Sequence, residues 1–265
     1  MLVLSLFPGI GLLDMAFELE GFCVVRGPDV LWGGDIRNFH PPAEKFDGVI
    51  GGPPCQAFSR LAHMVRQNGY EPKFGNLIPE FERCVEEAQP QWFCMEEVPD
   101  APVPVVGGYG VHSFILNNRQ CIANNGEPAT QNRTRRWSFG WRGGRKVLMV
   151  NTVAFENQQF DLAATSSSRQ VPIAVGGNGK DKTSRWRDGV RHVRQGPQMR
   201  VGQLCKLQGL PDDFDVPGFT VAAKRKAVGN GVPLPMGRAI ARAILEASNA
   251  ESVCYEIGKA ACDGE

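Results

Sequence analysis

The sequence has no apolar run that approaches the roughly 20 residues needed to cross a bilayer as a helix. Its apolar start, Met1 to Phe7, stops at Pro8-Gly9 and has no basic stretch before it, unlike an export signal. We therefore predict a chain that has no membrane association and stays in the cytoplasm.

Cysteine pairs and zinc-ligand spacings are also missing. The eight cysteines stand singly, without a C-x-x-C pair and without a Cys/His cluster. A disulfide framework and a metal site are therefore not expected. Single cysteines are mostly small buried hydrophobic residues, so a reactive one needs separate evidence from its surroundings.

Neither basic nor acidic residues are in large excess overall, but the two kinds are unevenly distributed along the chain. The net charge is +1, yet residues 101–205 hold 15 basic and 5 acidic residues, whereas residues 1–100 hold 7 and 15. A basic middle third in a neutral protein favours a surface that meets a polyanion such as nucleic acid. A basic face that is merely solvated would give the same counts.

The order of the predicted elements favours an α/β fold, and 265 residues, 42% of them hydrophobic, suffice for one large domain. A short buried strand at 3–7 runs into the turn Pro8-Gly9-Ile10-Gly11 and then into a helix at 12–19 with one apolar face. Further strands are predicted at 22–25, 47–50 and 91–95, and further helices between 76 and 88, at 201–207 and at 237–247. Alternation of strands and helices predicts an open, mostly parallel sheet that binds ligands at the carboxyl ends of its strands.

The periodicity fades between residues 142 and 197 into Gly, Ser, Asn, Gln and basic residues. Only two short strands are predicted there, at 147–153 and 171–175. We interpret this segment as a small, loop-rich region that interrupts one domain, and the last residues as a frayed tail. The resulting division is 1–141, 142–197, 198–247 and 248–265.

A cysteine stands directly after the predicted strand at 47–50, in Gly51-Gly52-Pro53-Pro54-Cys55-Gln56-Ala57-Phe58-Ser59-Arg60. A rigid turn there would display Cys55 at the ligand edge of the sheet, because glycines allow close approach and consecutive prolines restrict the backbone. Exposure favours a reactive thiol. A purely structural tight turn fits the segment equally well.

Three further segments place polar groups where a ligand would meet them. Glu96-Glu97 ends a buried strand, which is a position for acid/base groups. Arg133 and Arg135 stand two apart in an extended segment and could brace one anion from the same side. The turn Val228-Gly229-Asn230-Gly231-Val232-Pro233 precedes a helix. Each has an ordinary structural explanation when taken alone.

Together and in this order, these segments resemble those of the DNA (cytosine-5) methyltransferase family, over about residues 1–140 and 198–245. The signature Pro-Pro-Cys-Gln-x-Phe-Ser is complete at 53–59, and Gln-x-Arg-x-Arg is complete at 131–135. Leu207-Gln208-Gly209-Leu210-Pro211-Asp212 is similar to the segment before the family's Gly-Asn motif. The resemblance implies a Rossmann-like methyltransferase domain at 1–141 and 198–247, with a small basic target-recognition region at 142–197.

The resemblance also implies a reaction. The Cys55 thiolate would add to C6 of a cytosine that is flipped out of the duplex, and Glu96 would protonate or hydrogen-bond N3. Arg135, with Arg133, would hold the base carbonyl and the glutamate. The activated C5 would then take the methyl group of S-adenosyl-L-methionine, and loss of the C5 proton would release Cys55.

Binding residues follow from the same resemblance. For the cofactor they are Phe7, Gly9, Gly11, Asp35, Ile36, Pro54, Asn230 and Val232. For DNA they are Gln56, Ser59, Gln131, Arg185, Arg187 and Arg191.

Three features depart from the family pattern. Glu97 stands where Glu-Asn-Val has asparagine, and we expect it to slow the enzyme. Leu12 stands where a further glycine is common, and we expect it to narrow the cofactor pocket. The link from the strand at 22–25 to Gly34-Asp35 is about nine residues, too short for the usual crossover helix, which makes Asp29 a candidate for the ribose-binding acidic residue.

Two alternatives stay open at this level. One branch of the family methylates transfer RNA with the same motifs, although the Cys-Phe-Thr tripeptide of that branch is absent. A catalytically silent DNA-binding relative would also fit the departures. The expected partners are S-adenosyl-L-methionine and double-stranded DNA, with a cognate restriction endonuclease as a further candidate. We expect a monomer of prokaryotic or phage origin with a short target or loose specificity, because the recognition region is brief.

Overall fold

The computed structural model of the chain describes residues 1–54, 58, 75–154, 161–162, 164, 184–187, 190–193 and 198–262. The strands are β1 (Leu2–Leu6), β2 (Cys23–Arg26), β3 (Gly48–Gly51), β4 (Trp92–Glu97), β5 (Tyr109–Asn117), β6 (Gln131–Asn132), β7 (Thr134–Arg142), β8 (Asp161–Leu162), β9 (Ser184–Arg187) and β10 (Val190–Val193). The α-helices are α1 (Leu12–Glu18), α2 (Ile78–Ala88), α3 (Val201–Leu207), α4 (Val221–Asn230) and α5 (Leu234–Cys262). Short 3-10 helices lie at Val30–Trp32, Ile36–Asn38 and Asn118–Gln120.

Six strands form one sheet in the order β2-β1-β3-β4-β7-β5. The first four strands of that order are parallel, and β7 runs antiparallel to both β4 and β5. The predicted Rossmann-like α/β fold with a mostly parallel sheet is therefore confirmed. Two pairs stand apart from this sheet: the β9–β10 hairpin and the short parallel pair of β6 and β8.

Strand β4 shows why the sheet is covered on both faces. Trp92 and Cys94 belong to the core that contains residues of α1 and α5, whereas Phe93 and Met95 belong to the core that contains residues of α2. Successive side chains of a strand point to opposite faces, so a continuous apolar run is buried on both. The run is therefore typical of a central parallel strand, whereas the sequence predicted only a buried strand at this position.

The link between β2 and β3 contains two 3-10 helices and no α-helix, which confirms that the crossover helix is missing. The sheet accordingly ends at β2. Two expectations are wrong: residues 147–153 form no strand, and α5 continues to Cys262, so the chain beyond residue 247 is helical rather than frayed. The predicted strand at 171–175 lies outside the described residues.

Strand β5 was not predicted, and it pairs along its whole length with β7.

Within the described part of the chain, none of the helices has the length and apolar character that crossing a membrane requires. Because β1, β3 and β4 are parallel, their carboxyl ends meet at one edge, where the segments starting at Phe7, Gly52 and Val98 follow.

Candidate functional site

A cleft of about 170 Å³ opens at this edge of the sheet. Its lining combines apolar side chains with two carboxylates, and four of the eight predicted cofactor residues belong to it: Phe7, Asp35, Ile36 and Pro54. Asp29 also lines the cleft. Apolar walls with a few oriented polar groups are typical of small-molecule sites.

The loop after β1 is held in an unusual backbone conformation. Phe7, Gly9 and Gly11 have φ angles of 58°, 55° and 80°. For a bulky residue such as Phe7 the left-handed region costs about 1–2 kcal/mol, which the surrounding contacts must offset. The Gly9 amide donates to Asp29 Oδ2 at 2.9 Å, and Trp32 Nε1 donates to the Gly9 carbonyl at 2.7 Å. The segment after β2 therefore fixes the loop that carries Phe7 into the cleft.

Hydrogen bonds from Arg37 hold Asp35, which also lines the cleft, as an anion. Its carboxylate accepts from Arg37 Nη2 at 2.7 Å and from the Arg37 amide at 3.0 Å. These hydrogen bonds from Arg37 hold the pKa of Asp35 below its ordinary value. Asp35 is therefore ionised at neutral pH and can accept from a ligand's N–H or O–H group.

Arg83 on α2 braces the wall that Asp35 and Ile36 belong to, and the sequence analysis missed it. Its Nη2 donates to the Ile36 carbonyl at 2.8 Å, and its Nη1 donates to the Phe39 carbonyl at 3.0 Å. Glu80 and Glu87 on the same helix hold the guanidinium at 2.9 and 2.8 Å. The only sequence signal was one arginine among helical glutamates, which is also typical of an ordinary solvated helix face.

The other four predicted cofactor residues, Gly9, Gly11, Asn230 and Val232, are not among the residues that line the cleft. The turn 229–232 nevertheless packs beside the glycine loop, because a Cβ on Gly231 would lie 2.5 Å from Leu12 Cδ1. Val232 is 7% exposed and its side chain belongs to the core, so it would meet a ligand only through its backbone.

Leu12 does not narrow the cleft, contrary to the expectation. Its side chain is buried, contacts Gly231 and belongs to the apolar cluster that also contains Leu204, Val228 and Leu234. The side chain therefore points into the protein, and it stabilises the packing of α1 against the turn that follows α4.

Glu96 and Arg135 form an ion pair beside the turn that follows β3. Arg135 Nε lies 2.7 Å from Glu96 Oε1, and the two side chains are 19% and 13% exposed. A Cβ added to Gly52 would lie 3.1 Å from Glu96 Oε2, so the Glu96 carboxyl group closely approaches the backbone of this turn. Cys55, Gln56 and Ser59 lie outside the described residues.

The buried cysteines are poor candidates for a nucleophile. Burial raises the pKa of Cys84 to about 11 and that of Cys121 to about 12, and it also raises the pKa values of Cys94 and Cys205. These thiols therefore stay protonated at neutral pH. Cys23 is exposed, but it lies on the outer strand β2.

Arg133 and Arg135, which were expected to act together, hold different groups. Arg133 is 3% exposed, and its Nη1 donates to the carbonyls of Ala164 and Gly229 at 2.9 and 3.0 Å. Its Nη2 reaches the Asn230 carbonyl at 3.4 Å. Arg133 therefore holds the turn after α4, whereas Arg135 holds Glu96.

Gln131, which was predicted to contact DNA, is fully buried. Its Nε2 donates to Gln208 Oε1 at 2.9 Å, and its Oε1 accepts from the Ala164 amide at 2.9 Å. Gln208 in turn donates to the carbonyls of Val228 and Gly231 at 2.6 and 2.9 Å. The first two polar residues of Gln-x-Arg-x-Arg thus organise the 228–231 turn, and only the third reaches Glu96.

The Arg133→Met substitution should lower the free energy of unfolding by about 3 kcal/mol, because it leaves buried carbonyls without their charged donor. Chemical denaturation would measure the change. The control is Arg142→Met, which removes an exposed donor to the Gln89 carbonyl and should cost less than about 1 kcal/mol. Equal losses in the two variants would contradict the role given to Arg133.

Three predicted DNA-contacting residues, Arg185, Arg187 and Arg191, lie in the β9–β10 hairpin. In the antiparallel register they stand opposite His192, Val190 and Trp186. The hairpin belongs to the basic middle third of the sequence. Their role in binding stays a prediction.

Within the described ranges, no three His, Cys, Asp or Glu side chains come together as metal ligands would.

The model of the C-5 cytosine-specific DNA methylase family matches residues 32–101 and 108–246. The Type II methyltransferase M.NgoPII of Neisseria gonorrhoeae is 23% identical, over 92% of this chain and 95% of its own length. The Type II methyltransferase M1.HphI of Haemophilus parahaemolyticus is 26% identical, over 80% of this chain and 72% of its own. Among solved structures, the Entamoeba histolytica methyltransferase EhMeth has the same fold, with a TM-score of 0.61 and 12% identity over 93% of this chain and 98% of that one.

Proposed function

The chain belongs to the C-5 cytosine-specific DNA methylase family, and from this premise we propose how its site methylates DNA. The protein is an S-adenosylmethionine-dependent DNA cytosine-5 methyltransferase. The observation that carries the assignment of roles is the Glu96–Arg135 ion pair at 2.7 Å, set against Gly52 in the turn that leads to Cys55.

Cys55 is the nucleophile. Its thiolate forms a bond to C6 of the target cytosine, and the electron pair of the C5–C6 double bond becomes available at C5. Because Glu96 is paired with Arg135 as a carboxylate, it must first take up a proton from solution. It then donates this proton, or a hydrogen bond from it, to N3, which stabilises the charge that addition places on the ring. Arg135 holds the Glu96 carboxyl in its orientation. After methylation, a base in solution takes the C5 proton and the electron pair of the C5–H bond re-forms the C5–C6 double bond. The S–C6 bond breaks at the same time and returns its electron pair to the thiolate.

The cleft fits S-adenosyl-L-methionine, which supplies the electrophilic methyl group when bound. Phe7 and Ile36 offer apolar surface to the adenine, and Asp35 offers an acceptor to an amino group at its edge. Asp29 accepts the amides of Gly9 and Leu31, and its remaining lone pairs suit ribose hydroxyls. Pro54 lines the same cleft and directly precedes Cys55 in the sequence, which supports a methyl donor bound beside the nucleophile.

The DNA contacts are assigned to Gln56 and Ser59 beside the nucleophile and to the basic target-recognition region at 142–197. The excess of basic residues in the middle third supports this assignment, because cationic side chains bind phosphates irrespective of sequence. The target cytosine must leave the base stack, since neither Cys55 nor Glu96 could reach C6 or N3 inside a duplex.

Transfer of a labelled methyl group from S-adenosyl-L-methionine to duplex DNA tests the proposal. The expected product is 5-methylcytosine after digestion to nucleosides, and a duplex with every cytosine already methylated at C5 serves as the matched control. Label in transfer RNA instead of DNA would favour an RNA methyltransferase. No label in either, with DNA still bound, would favour a silent DNA-binding relative.

The Arg83→Gln substitution should weaken binding of S-adenosyl-L-methionine about tenfold, because it removes the donors that hold the carbonyls of Ile36 and Phe39. Titration calorimetry would measure the dissociation constant. Arg142→Gln, which removes an exposed arginine, should leave it unchanged. An unaltered dissociation constant in Arg83→Gln would show that the wall does not need this brace.

The setting of the enzyme is also part of the proposal. The Type II names of its relatives support a role beside a cognate restriction endonuclease in a bacterial or phage-infected cytoplasm. All the proposed catalytic residues belong to one chain, which supports a monomer. Sedimentation of the enzyme with and without DNA would measure its molecular mass in solution, and a mass twice that of one chain would contradict a monomer.

A further inference from the structure

Glu97 carries a buried carboxyl group that has no role in the reaction proposed above. It ends β4 next to Glu96 and is 1% exposed. Its Oε2 accepts the amide of Val98 at 2.8 Å. Its Oε1 is buried and has no hydrogen-bond partner among the residues that the structure describes.

Two arginines on the neighbouring strand β7, Arg135 and Arg136, lie near Glu97 but bind other groups. Arg135 lies 2.7 Å from Glu96. Arg136 stands directly opposite Glu97 in the β4–β7 register, but its Nε and Nη2 donate to the Pro99 carbonyl at 3.0 and 2.6 Å. Within the described ranges, Glu97 therefore has no ion-pair partner.

Two glutamates of α2 bind backbone amides of the segment that follows β4. Glu82 and Glu86 accept the amides of Val105 and Gly107 at 2.7 and 3.4 Å, in the segment that follows β4. Burial raises the pKa of Glu97 to about 8, with Glu96 adding to the rise and the Val98 amide and Arg135 opposing it. An anion at this position would be buried, unpaired and one residue from another carboxyl group.

We propose that Glu97 is a positioning residue that works as a neutral carboxylic acid, ordering the turn from Val98 to Pro99 and leaving Arg135 to Glu96 alone. This inference rests on the proposed function. When Glu97 gives its proton to a base in solution, its new charge competes with Glu96 for Arg135 and disturbs the turn. Methyl transfer therefore has an alkaline limit that Glu97 sets.

The first test compares single-turnover methyl transfer by the wild type and by Glu97→Gln between pH 6 and 10. Glutamine is neutral at every pH and nearly isosteric with the acid. Titration of Cys55 and of the substrate affects both enzymes alike, so the ratio of the variant's rate to the wild-type rate isolates Glu97. We expect the ratio to be constant below pH 7 and to rise roughly tenfold per pH unit above about 8. A ratio that stays flat to pH 10 would overturn the proposal.

A second test needs no methyl transfer, so it separates failure of this inference from failure of the proposed function. A carboxyl group whose pKa is raised on folding stabilises the fold fully below its unfolded pKa and loses that contribution as pH rises towards the folded value. The melting temperature of the wild type relative to Glu97→Gln should therefore fall between about pH 4.5 and 8 and be constant above that range. A difference that does not change with pH would contradict the neutral acid.

Carbon-13 NMR of the wild type, with labelled glutamate carboxyl groups, keeps the proposal testable even if the variant does not fold. One carboxyl signal should titrate near pH 8. The proposal is wrong if every glutamate titrates below pH 6.

Discussion

The Cys55→Ala substitution should abolish methyl transfer to duplex DNA and leave DNA binding intact. Without the thiolate no bond forms to C6, and the C5 of cytosine is too weakly nucleophilic to attack the methyl donor. Loss of a covalent nucleophile typically lowers a rate by at least about 10⁴-fold. Single-turnover label transfer and a filter-binding assay would measure the two properties separately.

The matched control for this prediction is Cys23→Ala. Cys23 is an exposed thiol on the outer strand β2, and its loss should leave the rate unchanged. A duplex with 5-fluorocytosine at the target adds a direct test, because fluorine at C5 cannot leave as a proton would and the enzyme stays bound through Cys55. If Cys55→Ala still forms this covalent complex, another residue is the nucleophile.

The Glu96→Gln substitution should lower the rate of methyl transfer by about 10²–10⁴-fold, the range typical of a lost general acid. Glutamine fills the same space beside Gly52, but it cannot give a proton to N3 and it no longer pairs as an anion with Arg135. The dissociation constant of S-adenosyl-L-methionine should change little, because Glu96 is not among the residues that line the cofactor cleft. Single-turnover kinetics and calorimetry would separate the two effects.

Glu127→Gln makes the same chemical change at an exposed loop position and should leave the rate unchanged. The rate of methyl transfer by Arg135→Lys should lie between the rates of Glu96→Gln and the wild type. Lysine keeps the positive charge but loses the planar donor set of the guanidinium. A rate within tenfold of the wild type in Glu96→Gln would show that N3 is activated by another group.

Local patterns were sufficient to predict the elements that carry the site. The apolar run ending at Phe7, the glycine turn after it and the helix at 12–19 correspond to β1, its loop and α1. The run before Glu96 corresponds to β4. These predictions succeed because hydrophobic periodicity and glycine turns depend on neighbours within a few residues.

The roles within Gln-x-Arg-x-Arg could not be predicted in this way. Gln131 finds its partner 77 residues further along the chain, at Gln208, and Arg133 finds one 96 residues further along, at Gly229. Two arginines two apart look alike in a sequence, whether they meet a ligand or a backbone carbonyl. Only the packing of the 228–231 turn against this segment decides which of them stays available for Glu96.

The sequence by itself was sufficient to predict the α/β fold and the family, because the residues that carry the resemblance stand in short contiguous motifs. Those motifs also led to the proposed catalytic roles of Cys55 and Glu96. The tertiary structure alone decided that Leu12 turns into the core and that Arg83 holds the Ile36 carbonyl beside the cleft. It also decided that Glu97 is buried without a cation among the residues that the structure describes. The physical reason is that exposure, hydrogen-bond partners and pKa are properties of surroundings that distant parts of the chain create.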